Sequence, residues 1–210
     1  MSTALRFVLA SASPARLAVL RAAGLDPQVL VSGVDEDAVL AAAAAADHAE
    51  RLLRLATAKA DAVLAQVRGP AVVLGCDSML LVDGQLVGKP GTAERARERW
   101  RHLPGRSGEL LTGHAVVRLD AAGQVAARAG ATRRTAVGFG DVAPAEIDAY
   151  VGTGEPLAVA GAFTLDGLGG WFVDRIDGDP SNVIGVSLPL LRALLAEVGL
   201  AVTDLWRTPA

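Results

Sequence analysis

The chain opens with an apolar run, Phe7-Val8-Leu9-Ala10, breaks at Ser11-Ala12-Ser13-Pro14, and resumes as a periodic apolar segment up to Gly24. This pattern predicts a strand, a tight loop and a helix, with Ser13 as N-cap, Pro14 at the first helical position and Gly24 at the C-terminal cap. Gln28 to Val31 reads as a short strand that ends in Ser32-Gly33-Val34 and an acidic knot, Asp35-Glu36-Asp37. The run Ala41 to Ala46 favours helix but offers little to pack. Asp47 caps a helix expected from Ala49 to about Val67, whose apolar stripe is Leu52, Leu55, Ala56, Ala60, Val63 and Leu64. Lys59 falls inside that stripe at helical spacing. A lysine there either snorkels along the core edge or reaches into a cleft.

The continuous apolar run Ala71 to Leu74 predicts a buried strand ending in Gly75-Cys76-Asp77-Ser78. Asp83-Gly84 between two apolar runs predicts a hairpin, closed by Gly88-Lys89-Pro90-Gly91. Thr92 caps a helix to about Leu103, with Ala96, Trp100 and Leu103 facing inward, and Pro104-Gly105 stops it. Glu109 to Leu119 and Gln124 to Phe139 form a second hairpin about an Asp120-to-Gly123 turn. A short helix follows from Pro144 to Val151. Strands are expected at Ala160 to Leu165 and Trp171 to Ile176, and then a turn cluster from Asp177 to Asn182. The last helix starts near Pro189, buries Leu190, Leu191, Leu194, Leu195 and Val198, and ends at Gly199. Hairpins beside helical crossovers imply an α/β fold with a mixed sheet.

The chain has 210 residues, about half of them apolar, which suits one large domain or two small lobes. A net charge of −3 argues against non-specific binding to duplex nucleic acid, while leaving room for a local basic pocket. The single cysteine, Cys76, excludes an internal disulfide and a cysteine cluster for zinc. The apolar run after Arg6 is too short for a signal-peptide core and no segment has the length of a membrane span, so the cytoplasm is the expected location.

Candidate chemistry gathers where the elements end, which is where α/β sites form. Ser11, Ser13 and Arg16 flank the start of the first helix, a natural anion cradle. Asp35 and Glu36 follow the second strand, Asp77 and Ser78 the third apolar run, and Lys89 the first hairpin, with Lys59 added from its stripe. Cations and hydroxyls suit a polyanion. Carboxylates suit a hard divalent cation such as Mg²⁺ or a general base acting on water. Together they point to metal-assisted hydrolysis of a phosphoanhydride. The same residues also serve as helix caps and turn closers. No P-loop is present, and Gly167-x-Gly169-Gly170 is not a dinucleotide fingerprint. His48, His102 and His114 lack metal spacing; His102 reads as surface and His114 as structural. Cys76 has no histidine nearby in sequence, so a thiol nucleophile is unsupported.

The junctions resemble the Maf family of nucleoside triphosphate pyrophosphatases, also described as septum-formation inhibitors. The matching pieces are Leu9-Ala10-Ser11-Ala12-Ser13-Pro14-Ala15-Arg16, Val34-Asp35-Glu36, Ala58-Lys59-Ala60, Gly75-Cys76-Asp77-Ser78, Gly88-Lys89-Pro90, Leu111-Thr112-Gly113, Ala160-Gly161-Ala162-Phe163 and Asn182-Val183-Ile184-Gly185, in the family's order. The resemblance implies a Maf/ITPase-like α/β fold: one domain over 1–210, with a long mixed sheet, flanking helices and two lobes around a central cleft. It further implies homodimer assembly, and hydrolysis of a nucleoside triphosphate to the monophosphate and pyrophosphate with Mg²⁺ or Mn²⁺. By the same resemblance Asp77 is the general base, Ser11, Ser13, Arg16, Lys59 and Lys89 hold the phosphates, and Glu36 with Asp77 faces the metal. A metal-bound carboxylate is a poorer base, so the two roles of Asp77 compete.

At the positions that set base preference in the family, this chain carries Ala15, Ser78 and Asp166. They match neither the dTTP- and UTP-selective nor the 7-methyl-GTP-selective pattern, and the base stays unassigned. House-cleaning of modified nucleotides fits this reading. The alternative is a nucleotide-binding regulator of septum formation, which would need the phosphate cradle but not Asp77. A sugar-nucleotide transferase would need a glycine-rich N-terminal loop that the sequence lacks.

Overall fold

In a computed structural model, residues 5–207 are described, so the expected domain of 1–210 runs beyond them at both ends. The seven strands form one mixed sheet in the order β2-β1-β3-β5-β6-β7, with β4 paired to β3. They are β1 (Arg6–Leu9), β2 (Gln28–Val29), β3 (Ala71–Val82), β4 (Gln85–Val87), β5 (Ser107–Leu119), β6 (Val125–Phe139) and β7 (Val173–Asp177). The chain divides into two compact units. The first comprises Met1–Asp77, Thr112–Arg133 and Gly185–Ala210; the second comprises Ser78–Leu111 and Arg134–Ile184.

In the first unit, β1 lies parallel to β2 and to β3, pairing Phe7 with Val72 and Leu9 with Leu74. Phe7 and Leu9 belong to a core with Leu20, Leu74, Leu191 and Leu195, whereas Val8 and Ala10 belong to another with Ala56, Ala60 and Val73. Burial on both faces explains why these strands read as continuous apolar runs rather than alternating ones. One core draws on helices α1 (Pro14–Ala22) and α7 (Leu188–Glu197), the other on α3 (His48–Val63).

Ser13 caps α1 by accepting the Arg16 backbone N–H, and Gly24, at φ +86°, follows its C-terminus as the sequence predicts. Asp35 caps α2 (Glu36–Ala42), which ends inside the alanine run and buries no residue. Asp47 caps α3, which stops at Val63 and continues as a 3₁₀ turn over Leu64–Gln66 rather than running as helix to Val67.

The strand expected to end at Gly75 continues to Val82. Gly75 does not break it; it lets α3 lie against it. A Cβ at this position would sit 2.1 Å from the Ala56 carbonyl oxygen and 2.8 Å from the Ala60 nitrogen. Gly75→Ala is therefore expected to destabilise the protein by about 1–3 kcal/mol or more, because backbone on both sides must move. Chemical denaturation would measure it, and an unchanged midpoint would show that α3 can shift freely.

In the second unit, β3 and β4 form the predicted hairpin, pairing Leu80 with Val87 and Val82 with Gln85. Asp83 and Gly84, at φ 50° and 75°, supply the two positive angles of a two-residue type I′ turn. Thr92 caps α4 (Ala93–Trp100), shorter than expected, yet Ala96, Trp100 and Leu103 are buried as predicted. Trp100 donates its indole N–H to the Ala162 carbonyl at 2.7 Å and packs edge-on against Phe139 and Tyr150. Tyr150 lies on α5 (Pro144–Gly152).

The strand expected at Ala160 to Leu165 is absent. Gly161 and Ala162 take φ +74° and +64°, which no strand tolerates, and Ala160–Ala162 forms a 3₁₀ turn. The strand expected from Trp171 starts only at Val173. The expected turn cluster is half helix: α6 (Pro180–Ile184) begins where the Asp179 carboxylate accepts the Ser181 backbone N–H and hydroxyl.

Glu155 organises the segment that follows Phe163. Its carboxylate accepts from Tyr150 Oη, Thr164 Oγ1, Leu168 N and Gly169 N at 2.5–3.1 Å. Partial burial pushes its pKa up, but these donors outweigh it and hold the carboxyl below its ordinary 4.5. A depressed folded value means this support is present above the ordinary value and is lost as pH falls through the folded one. Hydrogen exchange at the Leu168 and Gly169 amides is expected to accelerate below pH 4.5, beyond the intrinsic pH trend. Unchanged protection there would show that the carboxylate does not hold the turn.

Candidate active site

The site residues of the first unit come from three places. Beyond β1, the Ala10 N–H still bonds to the Leu74 carbonyl, which carries the chain alongside β3 before it turns at Ser11. Ser11 is buried, and its hydroxyl accepts the Ser13 N–H at 3.3 Å and an Arg16 Nη1 hydrogen at 2.8 Å. Arg16, in the first turn of α1, is only 8% exposed and also donates its Nε hydrogen to the Gly185 carbonyl at 3.0 Å. Ser11, Ser13 and Arg16 thus form one hydrogen-bonded loop at the N-terminus of a helix, where backbone N–H groups and the helix dipole favour negative charge.

The second and third contributions meet at Lys59. This residue is one of six buried side chains on α3, so its place in the apolar stripe is real. Its ammonium does not snorkel to solvent. It donates to Asp77 Oδ1 at 2.5 Å and to Glu36 Oε1 at 2.6 Å. Gly75 makes this geometry accessible, since close seating of α3 on β3 brings Lys59 to the Asp77 carboxylate two residues further along the strand. Asp77 is nearly buried, whereas the Glu36 side chain is 46% exposed, so the trio opens to solvent on the Glu36 side. One ammonium between two carboxylates leaves an excess negative charge.

Cys76 points into the core, fully buried. Burial pushes its thiol up to about 12, against the pull of the Arg16 and Lys59 charges, so it is not a nucleophile at neutral pH. His114, also buried, sets Nδ1 against the Thr112 carbonyl at 2.9 Å. His102 is exposed and contacts Glu98, as expected of a surface residue.

Lys89, Ser78 and Asp166 fall in the second unit. Lys89 is exposed and makes no hydrogen bond or ion pair among the described residues. The carbonyl of the preceding Gly88 is held by Arg99 at 2.6 Å and by the Gly161 N–H at 3.2 Å. Asp166 is exposed in the segment organised by Glu155, and Ser78 is half-buried. Ala15, in the first unit, is half-buried in the first turn of α1. Among the described residues, no group of three or more His, Cys, Asp or Glu side chains converges as a metal site. No helix among them is long and apolar enough to cross a membrane.

Sequence reasoning missed the Gly185 carbonyl as a partner of Arg16 and Glu155 as an organiser. Neither could be found from a motif's chemistry. A backbone carbonyl has no side-chain signature, and Glu155 in Gly154-Glu155-Pro156 reads as an ordinary loop acid.

A family model described as Maf-like protein matches residues 6–198. A nucleoside triphosphate pyrophosphatase of Saccharopolyspora erythraea is 60% identical over 209 residues, covering 98% of this chain and 99% of that protein. One of Nocardia farcinica is 61% identical over 208 residues, covering 97% of each chain. One of Rhodococcus opacus is 58% identical over 207 residues, covering 96% of each. The match extends over β1 to α7 and takes in the Ser11–Arg16 loop and the Lys59 trio, and on these grounds the chain belongs to the Maf family.

Proposed function

We propose that this chain is a hydrolase that converts a nucleoside triphosphate to the nucleoside monophosphate and pyrophosphate. The names of its relatives support the reaction class. The observation that carries the reading on this chain is the buried Lys59 ammonium clasped by Asp77 and Glu36, in the same unit as the Ser11–Arg16 loop.

In the first unit Ser11, Ser13, Arg16 and Lys59 hold the triphosphate, with backbone N–H groups of α1; the family resemblance adds Lys89 as a phosphate holder. Asp77 accepts a proton from water, and the water oxygen bonds to the α-phosphorus. The bond from that phosphorus to the bridging oxygen of the β-phosphate breaks, and the electron pair leaves with pyrophosphate. Fixed positive charge around the phosphates contributes most of the acceleration, through positioning and charge stabilisation.

The donor set fits a hard divalent cation, Mg²⁺ or Mn²⁺. Glu36 and Asp77 set two carboxylates against a single ammonium, which leaves an excess negative charge, and hard cations prefer oxygen ligands. Glu36 and Asp77 would hold the ion. Bound there, it would neutralise phosphate charge. Base selection is placed at Ala15, Ser78 and Asp166. Alanine at the first of these removes a large side chain from the start of α1.

The test is product analysis with a panel of canonical and modified nucleoside triphosphates. Equal amounts of monophosphate and pyrophosphate, with one base class preferred, are expected. Orthophosphate and diphosphate as products, or no turnover of any triphosphate, would refute the reading.

A further inference from the structure

Arg16 owes its orientation to a turn far along the chain. Its Nε hydrogen meets the Gly185 carbonyl at 3.0 Å, across 169 positions of sequence. Gly185 has φ +134°, and a Cβ there would lie 3.1 Å from Arg16 Cγ and 3.3 Å from Nε. Both the backbone angle and the close approach require glycine. Only two residues on, the backbone N–H of Ser187 donates to His114 Nε2 at 2.9 Å. Ser187 is itself fully buried and caps α7 by accepting the Leu190 N–H.

Two contacts of His114 define its state. Nε2 faces an N–H donor and is the acceptor; Nδ1 faces the Thr112 carbonyl and carries the proton. This fully buried, neutral imidazole grips the turn from the side of β5, while the first residues of α7 grip it through the cap. The turn then presents one carbonyl to one edge of the guanidinium, and Ser11 takes a second donor at 2.8 Å. With those two contacts made, the guanidinium plane is set. Arginine binds phosphate through a planar fork, so its plane decides whether the fork meets the ligand.

We propose that His114 is a positioning residue for the phosphate site, acting through the 185–187 turn, whose Gly185 carbonyl orients the Arg16 guanidinium. The proposal rests on the reading of Arg16 as a phosphate holder. It predicts that His114 and Gly185 matter for triphosphate binding only while Arg16 is present.

The test is a double-mutant cycle on the full chain, with inorganic tripolyphosphate as the probe and calorimetry as the readout. His114→Gln and Gly185→Ala are each combined with Arg16→Ala, and thermal melting is recorded for every variant. His114→Gln is expected to weaken tripolyphosphate binding about tenfold in the parent and to change it little in the Arg16→Ala background, a coupling of the size found between residues in one network. Gly185→Ala is expected to do the same. It serves as an independent arm if His114→Gln fails to fold. With nucleoside triphosphate, both are expected to raise KM more than they lower kcat. A merely structural role would lower the melting temperature and leave the losses equal in both backgrounds, and that result would overturn the proposal. Binding that is the same for Arg16→Ala and the parent would instead refute Arg16 as a phosphate holder. No binding by the parent would refute the phosphate site itself, and the proposal would fall with it.

Discussion

Asp77→Asn is expected to lower pyrophosphate release by about 10²–10⁴-fold, the range that a positioned general base contributes. The change keeps size and shape and removes the charge and the proton acceptor. Asparagine Oδ1 can still accept from Lys59, whose other partner, Glu36, remains 2.6 Å away. The cation is therefore not stranded, and the loss of stability stays below the roughly 3–5 kcal/mol of a fully broken buried pair. Pyrophosphate release and thermal melting, measured on the same preparation, separate the two effects. A folded variant that turns over normally would remove Asp77 from the chemistry. Loss of activity together with loss of fold would make Asp77 a structural partner of Lys59. A protein that is folded, binds triphosphate and releases pyrophosphate about 10²–10⁴-fold more slowly is the expected result. That result also distinguishes an enzyme from a nucleotide-binding regulator, which has no need of Asp77.

Lys59→Met is expected to have the largest effect on stability. Methionine preserves much of the apolar stem against Leu55, Ala56 and Val63 of the same helix face, so packing changes little. The ammonium is gone, and Asp77, almost buried, is left facing Glu36 with no cation between them. Removing one partner of a buried pair costs about 3–5 kcal/mol, and for a chain of this size that corresponds to a fall in Tm on the order of 10 °C. Mg²⁺ is expected to recover part of the loss in the variant and to change the parent less, because the variant holds two uncompensated carboxylates. A Tm equal to the parent's would show that Lys59 does not hold the pair. An equal response to Mg²⁺ in both proteins would show that these carboxylates do not bind the ion. Neither measurement depends on turnover.

The features legible in the sequence were those set within a few residues of chain. Ser13, Asp47 and Thr92 cap helices as the sequence predicts, because a short side chain can reach the backbone N–H three positions on; Asp35 and Ser187 cap α2 and α7 in the same way, where the sequence reading named no cap. Asp83-Gly84 makes its hairpin because both residues accept positive φ. The apolar stripe of α3 marks its buried face, and Lys59 lies within it. Where sequence and structure part, longer-range packing overrides a local signal. Gly75 looked like a strand terminator and proved to be the point where a helix seats on a strand. Ala160 to Leu165 looked like a strand but turns at Gly161 and Ala162, where it brings Phe163 onto Phe139 and offers the Ala162 carbonyl to Trp100.

For the candidate site, the residue types and their places at element ends could be read from the chain alone: hydroxyls and Arg16 at a helix start, a carboxylate after an apolar run, a lysine on a buried stripe. Their partners could not. Lys59 could equally have snorkelled to solvent, and its position on a helix carries no information about Glu36, 23 residues away, or Asp77, 18 residues away. Arg16 Nε meets a carbonyl 169 residues distant, in a turn whose Ser187 N–H bonds to a histidine that the sequence marks only as structural. Capping and turn formation are fixed by bonds that a few residues make with themselves, so the sequence determined them. Ion pairs and carbonyl contacts form only after the sheet sets which strand ends lie side by side, so they were decided by the tertiary structure.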